Sequence, residues 1–252
     1  MHKTTAEIEP FPKQTTLRDF FKSTVSTPKV DPYKKEKIIY TQVPGLSLTK
    51  NFITEAEETF LWNEVNKLPW RTDLKRRYQI HGYYYDAETK SILEYIGELP
   101  QCVSFLAKRL VEEGLLCEMP DQCGVNEYEP GQGIGPHIDR VMFGDQVIMV
   151  SLGSDIVMDF HGPNEEIVSI LLPRRSAVLA EGKARYEWKH GIAGRRTDKL
   201  ENGLMLKRNK RISVTLRISR KDIRRQNHPS YYSNKKVEQQ IPKTLPEEVK
   251  EN

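Results

Sequence analysis

Residues 124–140 read GVNEYEPGQGIGPHIDR and contain the pattern around which the rest of the fold is predicted. His137 and Asp139 are two positions apart, so on an extended segment both side chains leave the same face and can reach one ion. A third ligand has to come from farther along the chain, and His190, in YEWKHG at 186–191, is the best placed candidate. Two histidines and one carboxylate that leave one side of an octahedral ion open are typical of non-haem Fe(II) oxygenases.

A second polar pattern lies at 211–218, RISVTLRI, where apolar residues alternate with two arginines and two hydroxyl residues. Facing solvent, the polar side would make this an ordinary half-buried strand. Because the segment follows a candidate metal ligand, we expect its polar side to line a cavity instead, where Arg211 or Arg217 pairs with a carboxylate. Asn126 and Tyr128, again two apart, add an amide and a phenol to that cavity. A dicarboxylic acid bound to iron at one end and to arginine at the other would satisfy both groups.

Composition sets the limits of the prediction. With 252 residues, 37% of them apolar, the chain can bury one good core, and we expect one domain with tails. A formal net charge of +4 permits a polyanionic partner without requiring one. Three cysteines without a CxxC pair indicate a reduced compartment rather than a disulfide framework or a zinc finger. No segment has the apolar length of a signal peptide or a membrane span, so we expect a soluble protein with no membrane partner.

The period of the apolar pattern changes along the chain. TEAE at 54–57 is a capping box that opens a first helix, and a second helix is predicted at roughly 99–113. From residue 124 the period becomes two, and turn residues separate the strands predicted at 125–128, 146–152, 156–160, 167–172, 176–180, 186–190 and 211–218. Many short strands after two helices predict an α+β, mainly β architecture: a jelly roll with the N-terminal helices packed on one outer face.

The polar composition of residues 1–40 and 221–252 predicts disordered tails on either side of a 41–220 domain. One apolar group interrupts the first tail, where Leu17, Phe20 and Phe21 fall on one side of a helical turn and Gln14 precedes them. The group resembles the PCNA-interacting motif and predicts docking to a PCNA-like sliding clamp. The alternative is an amphipathic turn that folds back on the core, but the linker-like surroundings favour docking.

Cations and aromatics are interleaved at 75–85, KRRYQIHGYYY. Such a mixture can hold phosphates while stacking bases, or it can be a half-exposed strand whose tyrosines pack at a rim. Both interpretations stay open, as does the question whether the segment covers the mouth of the site. The candidate substrate residues are Arg77, Tyr83, Arg140 and Trp188.

The residues named for the site occur in an order and with spacings that resemble the AlkB family of Fe(II)- and 2-oxoglutarate-dependent nucleic-acid dioxygenases. The resemblance covers about residues 45–220 and is closest to the AlkB domain that animals fuse to an RNA-recognition module and a tRNA methyltransferase. It is carried by 120–134, 151–160 and 172–176 as well as by the site residues.

The resemblance implies a double-stranded β-helix, the cupin-like jelly roll. It also implies Fe(II) bound by His137, Asp139 and His190, with 2-oxoglutarate and O2 as co-substrates. Arg211 would pair with the far carboxylate of 2-oxoglutarate, assisted by Asn126 and Tyr128, and Arg217 would lie near its keto-acid end and the substrate. These seven residues are the predicted catalytic and co-substrate site.

For the substrate, the resemblance implies a single-stranded or flipped nucleic-acid base. Val141 stands where dealkylating members often carry an acidic residue, and neither module fused to the tRNA-acting relative is present in this sequence. Because a clamp peptide suits an enzyme that works on DNA, the sequence favours DNA dealkylation repair by a nuclear, and also cytoplasmic, monomer. The alternative is a tRNA wobble-uridine side-chain hydroxylase, and a third hypothesis is a catalytically idle nucleic-acid-binding jelly roll.

Overall fold

The computed structural model describes residues 34–86 and 91–220, and within them not the side chains of residues 85–94. The predicted clamp-docking motif at 14–21 and the predicted tail at 221–252 lie outside these residues. In the portion described, no helix has the length and hydropathy needed to cross a membrane.

Two antiparallel sheets form the body of the fold. The larger sheet has the strand order β1-β2-β10-β7-β14-β5-β3-β4, and the smaller sheet has the order β6-β11-β8-β9. A third sheet is the short hairpin of β12 and β13. The strands are β1 Glu36–Tyr40, β2 Leu46–Lys50, β3 Tyr78–Asp86, β4 Ser91–Tyr95, β5 Gln122–Tyr128, β6 Ile134–His137, β7 Phe143–Leu152, β8 Ile156–His161, β9 Ile167–Leu172, β10 Ala177–Ala180, β11 Lys189–Ile192, β12 Thr197–Lys199, β13 Met205–Lys207 and β14 Arg211–Ser219. This architecture confirms the predicted mainly-β jelly roll.

The larger sheet separates two apolar cores. On its outer face, residues of β5, β7 and β14 pack against helices α1, Glu55–Lys67, and α2, Gln101–Glu112, through buried residues such as Phe60 and Leu106. On its inner face, β2, β7 and β10 pack against β8 and β9 of the smaller sheet, with Phe160 and Leu172 fully buried. The prediction that the helices cover one outer face is therefore confirmed.

The predicted capping box opens α1: the Thr54 hydroxyl accepts from the Glu57 N–H, and the Glu57 carboxylate accepts from the Thr54 N–H. Glu57 is also held by Arg109 of α2, which joins the two helices. The backbone leaves the helical region at Leu68, because Pro69 follows and disfavours a helical conformation at the residue before it.

Two boundaries differ from the sequence prediction. Residues 36–40, assigned to the tail, form β1, which pairs with β2 at the edge of the larger sheet. The strand predicted at 186–190 starts too early, because Tyr186 ends the short helix α3, Gly182–Tyr186, and β11 begins only at Lys189. Ala184 and Trp188 are both buried, and their spacing of four follows a helical turn rather than a strand.

Candidate active site

The inner face of the larger sheet is organised in rows of side chains that lie across neighbouring strands. β14 pairs with β5 so that Arg211 lies beside Tyr128 and Arg217 lies beside Gln122. Between these two rows lies a third, in which Asn126 is beside Ser213. Residue partners in a sheet share one face. The polar side of β14 therefore faces the interior, and the alternative of a solvent-exposed polar side is excluded.

The three predicted metal ligands converge at one end of these rows. His137 ends β6 and is in register with His190 of β11, and their ring centroids are 4.5 Å apart. His190 Nε2 lies 3.7 Å from Asp139 Oδ2. The His137 Nδ1–H donates to the Gly135 carbonyl at 2.9 Å, which leaves Nε2 as the acceptor nitrogen of that ring. In the described portion, no three His, Cys, Asp or Glu side chains stand at metal-binding geometry.

Charges around Asp139 keep it ionised. Its Oδ1 accepts from Arg217 Nη2 at 2.6 Å and from Nε at 2.9 Å, so Oδ2 is the oxygen turned toward His190. Burial alone would raise the pKa of Asp139, but Arg217 and the two histidines hold it below its usual value. Burial lowers the pKa of His190 to about 4, so its imidazole is neutral at physiological pH. A carboxylate beside a neutral imidazole is donor chemistry that suits a divalent iron.

Arg211 is a buried cation that lacks an anion. It is 1% exposed, and its Nη2 donates to the Ser151 hydroxyl at 2.9 Å. Nε and Nη1 are buried without a hydrogen-bond partner, and Arg211 forms no ion pair with any carboxylate in the described residues. Burial lowers its pKa to about 10, opposed by Tyr128. A buried guanidinium with two unsatisfied donor nitrogens requires an acceptor, which makes the slot beside Tyr128 suited to the predicted acid co-substrate.

A cavity of about 820 Å³ opens beside the converging side chains. Its wall contains His137, Asp139 and Asn126 together with a set of cations and aromatics. That set consists of Arg71, Arg76, Arg140, Arg217, Tyr78 and Tyr84. The Arg71 guanidinium carbon lies 5.4 Å from the centroids of both Tyr78 and Tyr84. The cavity therefore combines positive charge with flat stacking surfaces.

Of the four predicted substrate residues, Arg140 lines this cavity and the other three do not. Arg77 points to the outer face, where its Nε and Nη2 donate to Glu127 at 2.5 and 2.7 Å. Tyr83 is buried in a small cluster with Met142 and Phe143. Trp188 is part of the core between the two sheets. Each of these three side chains is occupied by packing or an ion pair.

The sequence analysis missed Arg185, which is buried and lies directly behind the site. Its guanidinium donates only to backbone carbonyls: to Asp139 and Arg140, each at 2.7 Å, and to Phe143 and Gly144, each at 3.2 Å. Arg185 thereby fixes the turn that carries Asp139 and the cavity residue Arg140. No periodic pattern in the sequence marks it, because it lies in the short helix α3.

Comparison with known proteins agrees with this geometry. Residues 42–217, more than half of the chain, match the family model described as the 2OG-Fe(II) oxygenase superfamily. The chain is 38% identical over 172 residues to the Mus musculus tRNA (carboxymethyluridine(34)-5-O)-methyltransferase ALKBH8, covering 63% of this chain and 26% of that protein. It is 33% identical over 213 residues to the Arabidopsis thaliana alkylated DNA repair protein ALKBH8 homolog, covering 74% of this chain and 60% of the relative. The chain thus spans less than two thirds of the length of these relatives.

A solved structure supports the fold independently. The structure of OsALKBH1 superposes with a TM-score of 0.53 at 19% identity, covering 69% of this chain and 97% of that one. At this level of identity the likeness concerns the fold alone. The family match and the curated relatives carry the assignment further, and they imply Fe(II) and 2-oxoglutarate as cofactors. The chain belongs to the 2OG-Fe(II) oxygenase superfamily and, within it, to the AlkB homologues.

Proposed function

We propose that this protein oxidises a nucleoside in RNA and that its substrate is a uridine side chain of tRNA. The observation that carries the enzymatic part is the pairing of two features: Asp139 turned toward His190, and Arg211 buried nearby without an anion. The substrate part is supported by the curated relatives, since the Mus musculus relative is named for a carboxymethyluridine of tRNA. This choice reverses the preference for DNA that the sequence alone suggested.

In this proposal His137, Asp139 and His190 hold Fe(II). Arg217 donates to one oxygen of Asp139 and leaves the other for the metal, so its role is to orient the carboxylate. The Gly135 carbonyl does the same for His137, because it fixes which ring nitrogen carries the proton. Hydrogen-bonded partners of this kind hold metal ligands in orientation in metalloenzymes generally.

Arg211 binds the far carboxylate of 2-oxoglutarate through its guanidinium, in which Nε and Nη1 have no protein partner. Asn126 and Tyr128 lie on the same face between Arg211 and the metal end, which gives the acid a polar wall along its length. When bound, the two cofactors would supply, with O2 as the oxidant, oxidative decarboxylation of 2-oxoglutarate to succinate and CO2; one oxygen atom of O2 enters succinate and the other is inserted into a substrate C–H bond.

The cavity residues provide the substrate site. Arg71 and Arg140 can neutralise phosphates, and Tyr78 and Tyr84 offer rings on which a base can stack. The cavity volume of about 820 Å³ is large enough to admit one base that has left its helix.

A second candidate is removal of N-methyl groups from DNA bases, in which hydroxylation of the methyl carbon leads to loss of formaldehyde. It is favoured by the clamp-like motif at 14–21 in the sequence and by the Arabidopsis thaliana relative, which is named for alkylated DNA repair. A PCNA-like partner and a nuclear location belong to this candidate.

The deciding experiment incubates the full chain with Fe(II) and 2-oxoglutarate, and separately adds tRNA that lacks the hydroxylated uridine or methylated single-stranded DNA. We expect succinate release with the tRNA and a gain of one oxygen on uridine by mass spectrometry. Formaldehyde from the DNA with unchanged tRNA would establish the second candidate instead. An idle module would release no succinate with either substrate, and Asp139→Ala serves as the inactive control.

A further inference from the structure

Arg76, which the sequence analysis did not select, extends the row formed by Arg211 and Tyr128. Tyr78 of β3 is paired with Asn126, so the position two residues earlier lies beside Tyr128, on the side opposite Arg211. The guanidinium carbons of Arg76 and Arg211 lie 6.0 and 5.6 Å from the centroid of the Tyr128 ring. One phenol therefore has a guanidinium on each side.

Arg76 shares with Arg211 the lack of an anionic partner. Its Nε donates to the Asn126 amide oxygen at 3.0 Å, and it forms no ion pair within the described portion of the chain. The next residue behaves in the opposite way, since Arg77 forms a two-pronged ion pair with Glu127 on the outer face. The difference between two adjacent arginines follows from the alternation of an extended chain.

Arg76 also lies at the boundary between two cavities. It lines the 820 Å³ cavity and a second cavity of about 550 Å³, whose other walls come mainly from the glycine-containing segments 131–135 and 191–194. Its hydrogen bond to Asn126 and its position over Tyr128 direct it toward the two side chains that flank the acid slot. Two like charges around one ring repel each other, and the two carboxylates of a dicarboxylic acid would offset that repulsion.

We propose that Arg76 is a second cation of the co-substrate slot and binds 2-oxoglutarate together with Arg211. The proposal rests on the proposed function, in which Arg211 receives the far carboxylate. Arg76 then closes the slot from the side of β3 and separates the bound acid from the substrate cavity. Hydrogen bonds from a guanidinium to a carboxylate are strong enough that losing them weakens binding by about tenfold or more.

The test measures binding of 2-oxoglutarate by calorimetry to the full chain loaded with Mn(II), which avoids turnover. The variants are Arg76→Gln, Arg76→Lys, Arg211→Met and, as the matched control, Arg77→Gln. We expect Arg76→Gln to weaken binding at least about tenfold and Arg76→Lys to weaken it less, because lysine keeps the charge but loses the planar fork. Arg77→Gln should lower the melting temperature, since it leaves the buried Glu127 with a weaker partner, while the affinity stays unchanged.

Unchanged affinity in Arg76→Gln, with weakened binding of a single-stranded oligonucleotide, would overturn the proposal and make Arg76 a substrate residue. If Arg76→Gln does not fold, as judged by circular dichroism, Arg76→Lys decides: wild-type affinity in that variant overturns the proposal. Failure of the proposed function gives a different result, because wild-type protein would then not bind 2-oxoglutarate and Arg211→Met would change nothing.

Discussion

The outer face of β14 carries Ile212, Val214 and Leu216, each fully buried against the helix side of the larger sheet. The inner face carries Arg211, Ser213 and Thr215, which are buried almost as deeply. Burial on the outer face removes apolar surface from water and stabilises the fold. On the inner face it leaves a guanidinium partly unsatisfied, which costs stability unless a ligand arrives. The outer face of β14 therefore stabilises the fold, whereas its inner face provides polar groups for the site.

The largest expected effect is at Asp139. We expect Asp139→Ala to reduce succinate release by at least about 10³-fold, since the carboxylate that completes the metal set is gone. Titration with Mn(II), followed by calorimetry, should show the loss of metal affinity directly. Asp145→Ala is the matched control, because Asp145 is exposed and accepts only from the Tyr186 hydroxyl. Equal metal affinity in Asp139→Ala and wild type would remove Asp139 from the site.

A substitution on the outer face should have the reverse profile. Leu216→Ala leaves a cavity against the helix side of the sheet and should lower the free energy of unfolding by about 3 kcal/mol, as measured by urea denaturation. The affinity of the folded fraction for 2-oxoglutarate should stay within about twofold of wild type. A large loss of affinity at unchanged stability would show that the two faces are not independent.

Arg211→Met should distinguish the two faces of β14 most clearly, because it should weaken 2-oxoglutarate binding without lowering the free energy of unfolding. We expect 2-oxoglutarate affinity to fall by about 30-fold, while the free energy of unfolding without ligand stays equal or rises. At one fixed concentration, 2-oxoglutarate should raise the melting temperature of the Mn(II)-loaded wild type more than that of the variant. A strong destabilisation of the ligand-free variant would contradict the interpretation of Arg211 as a cation awaiting its anion.

The smallest effect concerns His81, which is beside Cys123 on the outer face. Burial lowers the pKa of His81 to about 4 from 6.5, so between these values the unfolded chain binds a proton that the folded protein does not. Stability should therefore fall as the pH drops from about 6.5 to 4, by at most about 3 kcal/mol from this residue. In His81→Gln this component should disappear from denaturation curves recorded across the same range, and parallel profiles for the two proteins would refute it.

The sequence indicated which side chains face the interior wherever apolar and polar residues alternate regularly along a strand. In β14 the apolar residues recur at every second position, so both faces could be assigned, and the family resemblance named residues that the structure brings together. In β3 the segment YQIHGYYY has no such alternation, and nothing in it decides which parity faces inward. Arg77 and Tyr83 were selected, whereas Arg76, Tyr78 and Tyr84 line the cavity. A shift of one residue exchanges the faces of a strand, which explains why Arg77 and Tyr83 do not line the cavity.

Other features were invisible for different reasons. β6, with the sequence IGPH, has a composition that favours turns, and it is a strand only because β11 pairs with it. β1 was assigned to the tail because it has only five residues, two of them charged, and three of its five positions are exposed. These elements depend on long-range pairing rather than on local propensity, so the neighbouring residues in sequence do not predict them.

Arg185 gives the turn from Asp139 to Gly144 a shape that does not depend on the side chains of that turn. Its guanidinium donates hydrogen bonds to four backbone carbonyl groups of the turn, and the exposed Val141 takes no part in these bonds. Substitutions at residues 140 and 141 should therefore alter the substrate preference of the cavity rim without displacing Asp139, the proposed iron ligand. Because Arg185 holds the backbone of the turn, substrate preference can change at this rim while the position of the proposed metal ligand stays the same.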